Sequence, residues 1–427
     1  MNGMNNNNKS KAAQAGKALD FSKIKTLDQA DVRGKRVLLR VDFNVPMQDG
    51  VVGDTTRMQR VLPTIRKLLD AGATVIVLSH WGRPKGQPSR ETSLEPVASK
   101  LREMLGGTKV HFVKDCVGTE AKRGVEALKP GEVAVLENLR HHRGEESNDP
   151  EFARRLANLG DIYVDDAFSS AHRTHASIGA ITNYLPSYAG LLMMAEISAL
   201  ERALEHPARP VMAIVGGAKT STKIKVLINL AARMDSIVLA GGLAGTMLYA
   251  KGVEIGKSLC EKDAVPVVKE IMAAAQKSGC AIILPTDVVV AKEFKAGAES
   301  YVCDVNDIPP DAMILDTGPK SVEALKRRLA ETRTVLWNGP LGAFEIAPFG
   351  EGTFELAREA ARLTRSGKLV TIAGGGDTVS ALNAAGAAKD FTYVSTAGGA
   401  FLEWLEGATL PAVVALTRDD ALAMSEA

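Results

Sequence analysis

Cysteine is scarce in this chain and net charge is nearly absent. Four cysteines, at 116, 260, 280 and 303, occur in 427 residues. None forms a C-x-x-C pair or another metal spacing, and so few thiols in so long a chain point to a reducing compartment, which is expected to be the cytoplasm. They read as core thiols. Lys and Arg number 52 against 50 Asp and Glu, leaving a formal charge of +2; this provides no electrostatic footprint for nucleic acid or an anionic membrane. Residues 1–19, MNGMNNNNKSKAAQAGKAL, lack the apolar core of a signal peptide or membrane span and read as a disordered tail. Histidine is missing after His206, so the second half holds neither a His base nor a His metal site. No G-x-G-x-x-G follows a strand-like run, which counts against a nicotinamide dehydrogenase.

What is present is alternation. From residue 36 onward short apolar runs alternate with helical patterns, the signature of an α/β fold. Strands are expected at Val37–Phe43, Thr74–Ser79, Lys109–Val113, Val133–Leu136 and Ile162–Val164. A second series follows at Val211–Val215, Ser236–Ala240, Ala281–Leu284, Thr334–Trp337, Leu369–Ala373 and Thr392–Val394. Helical stretches such as Leu62–Leu69 and Asp263–Lys277 lie between them. The length exceeds one ordinary core. The helical pattern Met193–Glu205, closed by His206-Pro207, separates the two series. Two doubly wound parallel-sheet, Rossmann-like domains are therefore expected, at 20–190 and 208–405, joined by a helix within 191–207 and facing each other across a cleft.

Ligands of open parallel sheets gather beyond the carboxyl ends of the strands. In the first half those positions hold Arg40, Asp42, Asn44, His80, Arg83, Asn138, Arg140, Asp165, Asp166, His172, Arg173 and His175, a set suited to a small, multiply charged anion. In the second they hold GGAK (216–219), AGG (240–242), PTD (285–287), NGP (338–340), GGGD (374–377) and STAGG (395–399), a set suited to nucleotide phosphates. In KLVTIAGGGDTVSAL (368–382) a strand-like run meets three glycines and a helix start, where unpaired N–H groups and the helix dipole favour phosphate. Asp377 would repel bare phosphate unless a divalent cation lay between them. The stretch alone is equally read as an N-cap aspartate on a structural turn. If a phosphoryl group moves, an Arg-rich acceptor pocket without an obvious base favours a carboxylate acceptor, already ionised with a pKa of about 4.

Eight motifs in order carry a resemblance: RVDFNVP (40–46), SHWGRP (79–84), LENLR (136–140), DAFSSAHRTHAS (166–177), VGGAKTSTKI (215–224), WNGPLGAFE (337–345), GGGDT (374–378) and STAGGA (395–400). Together they closely resemble phosphoglycerate kinase, from about Phe21 to Val414. The resemblance implies phosphoryl transfer between MgATP and the carboxylate of 3-phosphoglycerate by a monomer that closes on hinges at the connecting helix and around Ser395-Thr396. It implies that Asp42, Asn44, Arg57 and His80 surround the acid's hydroxyl and carboxylate end, with Arg83, Arg140 and Arg173 around its 3-phosphate. It places Lys219 on the transferring group and Lys223 on the α-phosphate side, both at a helix start. Gly217, Gly241, Gly242 and Pro340 would border the adenine, with Glu345 on the ribose, Asn338 near the phosphates, Asp377 on Mg²⁺ and Thr378 at the helix N-terminus. Gly374, Gly375 and Gly376 would also contact the nucleotide, and Arg57, Lys219, Mg²⁺ and the backbone N–H groups at Gly375 and Gly376 would meet the charge of an in-line transition state. Residues 406–427 would return to the first domain.

Thr222 stands where many relatives have Asp, and Ile314 where many have glycine; residues 1–19 have no family counterpart. GVEIGKS (252–258) falls one residue short of a Walker loop. Arg173, between His172 and His175, counts against a metal there. A binding protein without chemistry would account for the arginines but not for GGAK, Lys223 and GGGD together.

Overall fold

The computed structural model describes residues 21–417, so the expected tail at 1–19 and the chain beyond Thr417 lie outside the described residues. The first half contributes β1 (Arg36–Arg40), a hairpin of β2 (Met47–Gln48) and β3 (Val51–Val52), then β4 (Thr74–Leu78), β5 (Val110–Val113), β6 (Val133–Leu136), β7 (Ile162–Asp165) and β8 (Ser187–Ala189). Its main sheet runs β5-β6-β4-β1-β7-β8, every neighbour parallel. The second half contributes β9 (Val211–Val215), β10 (Ser236–Leu239), β11 (Ala281–Ile283), β12 (Asp287–Ala291), β13 (Ser300–Asp304), β14 (Met313–Thr317), β15 (Thr334–Asn338), β16 (Val370–Ala373) and β17 (Tyr393–Val394). Its parallel sheet runs β11-β10-β9-β15-β16-β17.

Both sheets are buried on two faces, which is why their strands read as unbroken apolar runs. On β1, Val37 and Leu39 join one apolar cluster with Val75 and Val77 of β4, while Leu38 joins another with Ile76 and Leu78. On β9, Ala213 and Val215 face one cluster, and Met212 and Ile214 the other. In each sheet the chain first builds outward on one side of its central strand, then crosses to the other. The loops after β1, β4 and β7, and after β9 and β15, leave the sheets at these switch points, where ligands of such folds gather.

The helix Leu191–Leu204 joins the halves. Its start is fixed by Asp166, whose Oδ1 accepts the Met193 N–H at 2.9 Å. Gly190 precedes it because a Cβ there would lie 2.2 Å from that oxygen. Burial pushes the Asp166 carboxyl up to about 7 from an ordinary 3.8. Between those values the folded chain holds a proton that the unfolded chain has released. The stability this proton contributes is complete below about pH 4 and is lost as pH rises through about 7. Asp166→Asn keeps the acceptor and removes the titration, so denaturant melts should show the variant gaining on wild type from pH 4 to 8; a constant difference would refute the shift.

After Gly398 the chain packs back on the first half. Trp404 stacks on Phe21 with ring centroids 5.4 Å apart and lies 5.9 Å from Phe168. The Ala412 N–H donates to the Ala171 carbonyl at 3.1 Å.

Three features depart from expectation. The helix expected at Leu62–Leu69 begins at Thr56 and runs to Asp70 with Pro63 inside it; a helix-breaking residue near its middle hid its first two turns. Arg57 is thus the second residue of the helix. An antiparallel sheet, β13-β12-β14, was not foreseen; β13 is largely exposed, and the apolar run of β12 was passed over. Asp287, read as a ligand-facing strand end, opens β12 and is buried. It accepts the N–H groups of Ser321 (2.8 Å) and Lys320 (3.0 Å), capping the helix Pro319–Glu331.

Candidate active site

Four loops beyond β1, β4, β6 and β7 meet over the first sheet and brace one another. The Phe43 N–H donates to Ser79 Oγ at 2.9 Å, the Gly82 N–H to Asn44 Oδ1 at 3.0 Å, and Arg140 Nη1 to the Gly82 carbonyl at 2.7 Å. Asn138 is buried as a brace, its Nδ2 donating to the carbonyls of Trp81 and Thr92. Asp42 accepts Arg57 Nη1 at 2.8 Å and the Ser169 hydroxyl, while Arg57 also reaches the Asn44 carbonyl at 3.1 Å. Asp42, Asn44, Arg57, His80 and Arg140 are therefore tied through these loops; Arg173 joins them by charge, acting on both His80 and Arg140. Arg83 stands exposed on the loop that bears Gly82.

Beneath this surface lies a buried network that the motifs did not assign. Arg40, fully buried, donates Nε to Ser177 Oγ at 2.9 Å, and Ser177 donates its hydroxyl to Glu145 at 2.7 Å. Arg40 Nη2 lies 3.1 Å from His80 Nδ1. A guanidinium has no acceptor, so Nδ1 must accept and the His80 proton sits on Nε2. Burial first, then the charges of Arg40, Arg140 and Arg173, hold the His80 pKa well below its usual value. His80 is thus a neutral donor, not a cation and not a base. Arg140 and Arg173 are pushed down by burial, and each also feels the positive charge of neighbouring arginines. Arg140 Nε is buried, faces Glu146 at 3.3 Å, and makes no hydrogen bond of acceptable geometry. Clustered guanidiniums with unspent donors fit a multiply charged anion. Arg40, expected among the ligand-facing strand ends, is instead a buried brace at the end of β1, whereas Glu145 sits in HHRGEE and looks solvated.

On the second sheet the loops after β9 and β15 run in contact: a Cβ on Gly216 would sit 1.9 Å from the Pro340 carbonyl oxygen. Beside them opens a cleft of about 430 Å³ lined by Gly217, Gly241, Gly242, Pro340, Glu345 and Asp377, with Leu259, Phe294 and Ile314 supplying apolar wall. Two glycine-bordered loops and an apolar slot suit a planar base, with phosphates leading toward Asp377. Asn338 and Thr378 do not line this cleft. Asn338 Nδ2 donates to the Gly374 carbonyl at 2.7 Å and its Oδ1 accepts Lys223 Nζ; Thr378 Oγ1 accepts the Gly339 N–H at 2.7 Å and donates to the Gly374 carbonyl at 2.9 Å. They hold Gly374, Gly375 and Gly376 in place. Gly375 has φ 101°, and a Cβ there would lie 2.7 Å from Asn338 Nδ2. The helix Gly376–Ala384 follows, with Asp377 in its first turn.

Lys219 is exposed. It lies in a loop ahead of the helix Ile224–Ala231, whereas Lys223 is the N-cap of that helix, so the expectation of a helix start is corrected for Lys219 only. Burial lowers the pKa of Lys223, against the opposing charge of Asp377.

A sequence profile of phosphoglycerate kinase matches residues 27–408. The chain belongs to the phosphoglycerate kinase family. Among its relatives, the phosphoglycerate kinase of Methylorubrum extorquens (strain PA1) is 58% identical over 393 residues, covering 92% of this chain and 98% of the relative. That of Rhizobium meliloti (strain 1021) is 57% identical over 390 residues, covering 91% and 98%. The solved phosphoglycerate kinase of Coxiella burnetii superposes with a TM-score of 0.85 at 40% identity, over 92% of this chain and 98% of that one. The enzyme from Pyrococcus horikoshii OT3 gives 0.77 at 31% identity, with the same coverage. The family uses ATP or ADP as a substrate. Among the described residues no helix is long and apolar enough to cross a membrane.

Proposed function

We propose that the chain catalyses reversible phosphoryl transfer between MgATP and the carboxylate of 3-phosphoglycerate, giving 1,3-bisphosphoglycerate and MgADP, as a monomer in the cytoplasm. One observation supports the site assignment: an arginine-rich basin with unspent donors lies beyond the strand ends of one sheet, and a glycine-bordered slot lies beyond those of the other. A carboxylate oxygen attacks the terminal phosphorus in line and the bridging oxygen leaves on ADP. No proton need be removed from the acceptor, which agrees with a neutral His80 whose Nε2–H can only donate to that carboxylate. Asp42 and Asn44 orient the hydroxyl and carboxylate end, and Arg83, Arg140 and Arg173 hold the 3-phosphate. Arg57, Lys219 and the N–H groups following Gly375 meet the charge that spreads over the moving phosphoryl group.

Mg²⁺ fits the donor set. Asp377 offers a hard carboxylate oxygen at the cleft, and Mg²⁺ is commonly held by one or two carboxylates with phosphates and waters. When bound, it would draw phosphate oxygens together and offset their charge. Closure is proposed to bend the connecting helix and the crossing at Ser395-Thr396. Arg60 supports this: it donates to the Val394 carbonyl at 2.6 Å and lies 3.6 Å from the buried Glu196 of the connecting helix.

The direct test is a spectrophotometric assay with 3-phosphoglycerate and MgATP coupled to consumption of the acyl phosphate; folded protein without turnover would overturn the reading. Arg83 sits on the stationary end of the acid. Arg83→Ala should therefore raise the KM for 3-phosphoglycerate by about tenfold or more, the cost of roughly one charge-assisted hydrogen bond, while kcat changes little. An unchanged KM would remove Arg83 from the phosphate site.

A further inference from the structure

We propose that Asp115, Cys116 and His142 form a binding site for a borderline-soft divalent cation, Zn²⁺ by preference, distinct from both substrate sites. One carboxylate oxygen, the Cys116 sulfur and one imidazole nitrogen of these residues all lie within 4.8 Å of one another. Tetrahedral zinc, with bonds of about 2.0–2.3 Å, wants its ligand atoms about 3.5 Å apart, so adjustments on the order of 1 Å complete three ligands. Water can take the fourth position, because the Asp115 and His142 side chains are 39% and 29% exposed. Only the sulfur is buried.

The surroundings aim these donors. Asp115 Oδ1 accepts the Cys116 N–H at 2.7 Å and the Val117 N–H at 3.4 Å, which fixes the carboxylate between the end of β5 and the helix Gly118–Glu126. His142 Nε2 lies 2.7 Å from the same oxygen, and its ring stacks on Phe152 with centroids 5.3 Å apart. A metal would enter where His142 now shares a proton with Asp115. Cys116 Sγ–H would release its proton to solvent on binding, so affinity should rise with pH. Mixed nitrogen, sulfur and oxygen donors select Zn²⁺ or Co²⁺ over the oxygen-seeking Mg²⁺ that accompanies nucleotides. The ligands are remote from any spacing motif, because two follow β5 and the third follows β6. Occupancy would clip the segment bearing Arg140 to the first sheet's edge.

The test uses the full chain, stripped with a chelator and kept in excess Mg²⁺, titrated with Zn²⁺ against a chromophoric competitor. The expected result is one equivalent bound, with a higher melting temperature, since a cation that binds only the folded chain stabilises it. Co²⁺ in place of Zn²⁺ should give a thiolate-to-metal absorption band that Cys116→Ser abolishes. Cys116→Ser and His142→Asn should each weaken zinc by more than about tenfold, the scale seen even for outer partners of a metal. His142→Asn alters a partly exposed side chain, so the test stands even if Cys116→Ser fails to fold. Retained zinc affinity in His142→Asn, a cobalt complex without the thiolate band, or loss of zinc through His172→Asn instead would each overturn the site.

Discussion

Arg57→Ala is expected to bind each substrate separately with much of the wild-type affinity and to lose turnover on the order of 10³-fold, the scale of an arginine that stabilises a migrating phosphoryl group. The geometry gives the reason. Arg57 is the second residue of the helix Thr56–Asp70, half exposed, with Nη1 held by Asp42 Oδ2 at 2.8 Å and by the Asn44 carbonyl at 3.1 Å. It is thus occupied before any phosphoryl group arrives. Reaching a group on the second domain means giving up those contacts, so its charge acts mainly in the closed, reacting state, and such an interaction appears in kcat more than in binding. The same helix carries Arg60 one turn on, bonded to the Val394 carbonyl at the crossing strand. Residues three apart share a helix face, so a shift of the second domain is felt by the helix that bears Arg57. Arg57→Lys should recover only part of the rate, because Lys keeps the charge but not the planar fork. Separate binding titrations with single-turnover kinetics check this; wild-type turnover of Arg57→Ala at saturation would give its proposed role to another cation.

The fold was legible wherever burial on both faces wrote a continuous apolar run. All eleven expected strands exist, from Val37 through Val394, most within a residue or two at each end. Reading failed for shorter or more exposed strands, and once for a buried apolar run. The run VVVA (288–291) of β12 was passed over although it is apolar and mostly buried, and its neighbour β13 is open to solvent, with Tyr301 and Val302 44% and 49% exposed. Ser187–Ala189 is only three residues long. Pro63 masked a helix whose tertiary contacts override one missing hydrogen bond. Most residues proposed for the site stood out because strand ends and glycines are chain-local features, while Arg57, Lys223 and Glu345 came only from the family resemblance. The support beneath them was not legible. Arg40, Ser177 and Glu145 are more than 100 residues apart across the first contact and join only through the folded sheet. Asn338 and Thr378, read as nucleotide contacts, spend their visible hydrogen bonds on bracing the glycine turn. A motif shows which residues a turn requires, but not whether they face the ligand or the backbone that holds it.

Asp377 allows these two roles to be separated by measurement. It lines the cleft in the first turn of the helix Gly376–Ala384 and places its charge on Lys223. As a ligand for Mg²⁺ it should matter only when the cation accompanies the nucleotide. Asp377→Ala should weaken Mg-nucleotide binding by at least about 10- to 100-fold, the range known for the outer partners of a metal alone, and turnover should fall with it. Without Mg²⁺ the sign should reverse: a carboxylate beside bare phosphates repels them, so the variant should bind free ADP as well as wild type or better. Asp377→Asn, which keeps shape and loses charge, should behave like the alanine variant in both conditions. A purely structural aspartate predicts something else, namely equal losses with and without Mg²⁺ and rescue by Asn. Titration with 3-phosphoglycerate completes the argument, because its basin lies on the other sheet and should be untouched. A large loss of acid affinity would mean that Asp377 maintains the fold between the domains rather than holding the cation.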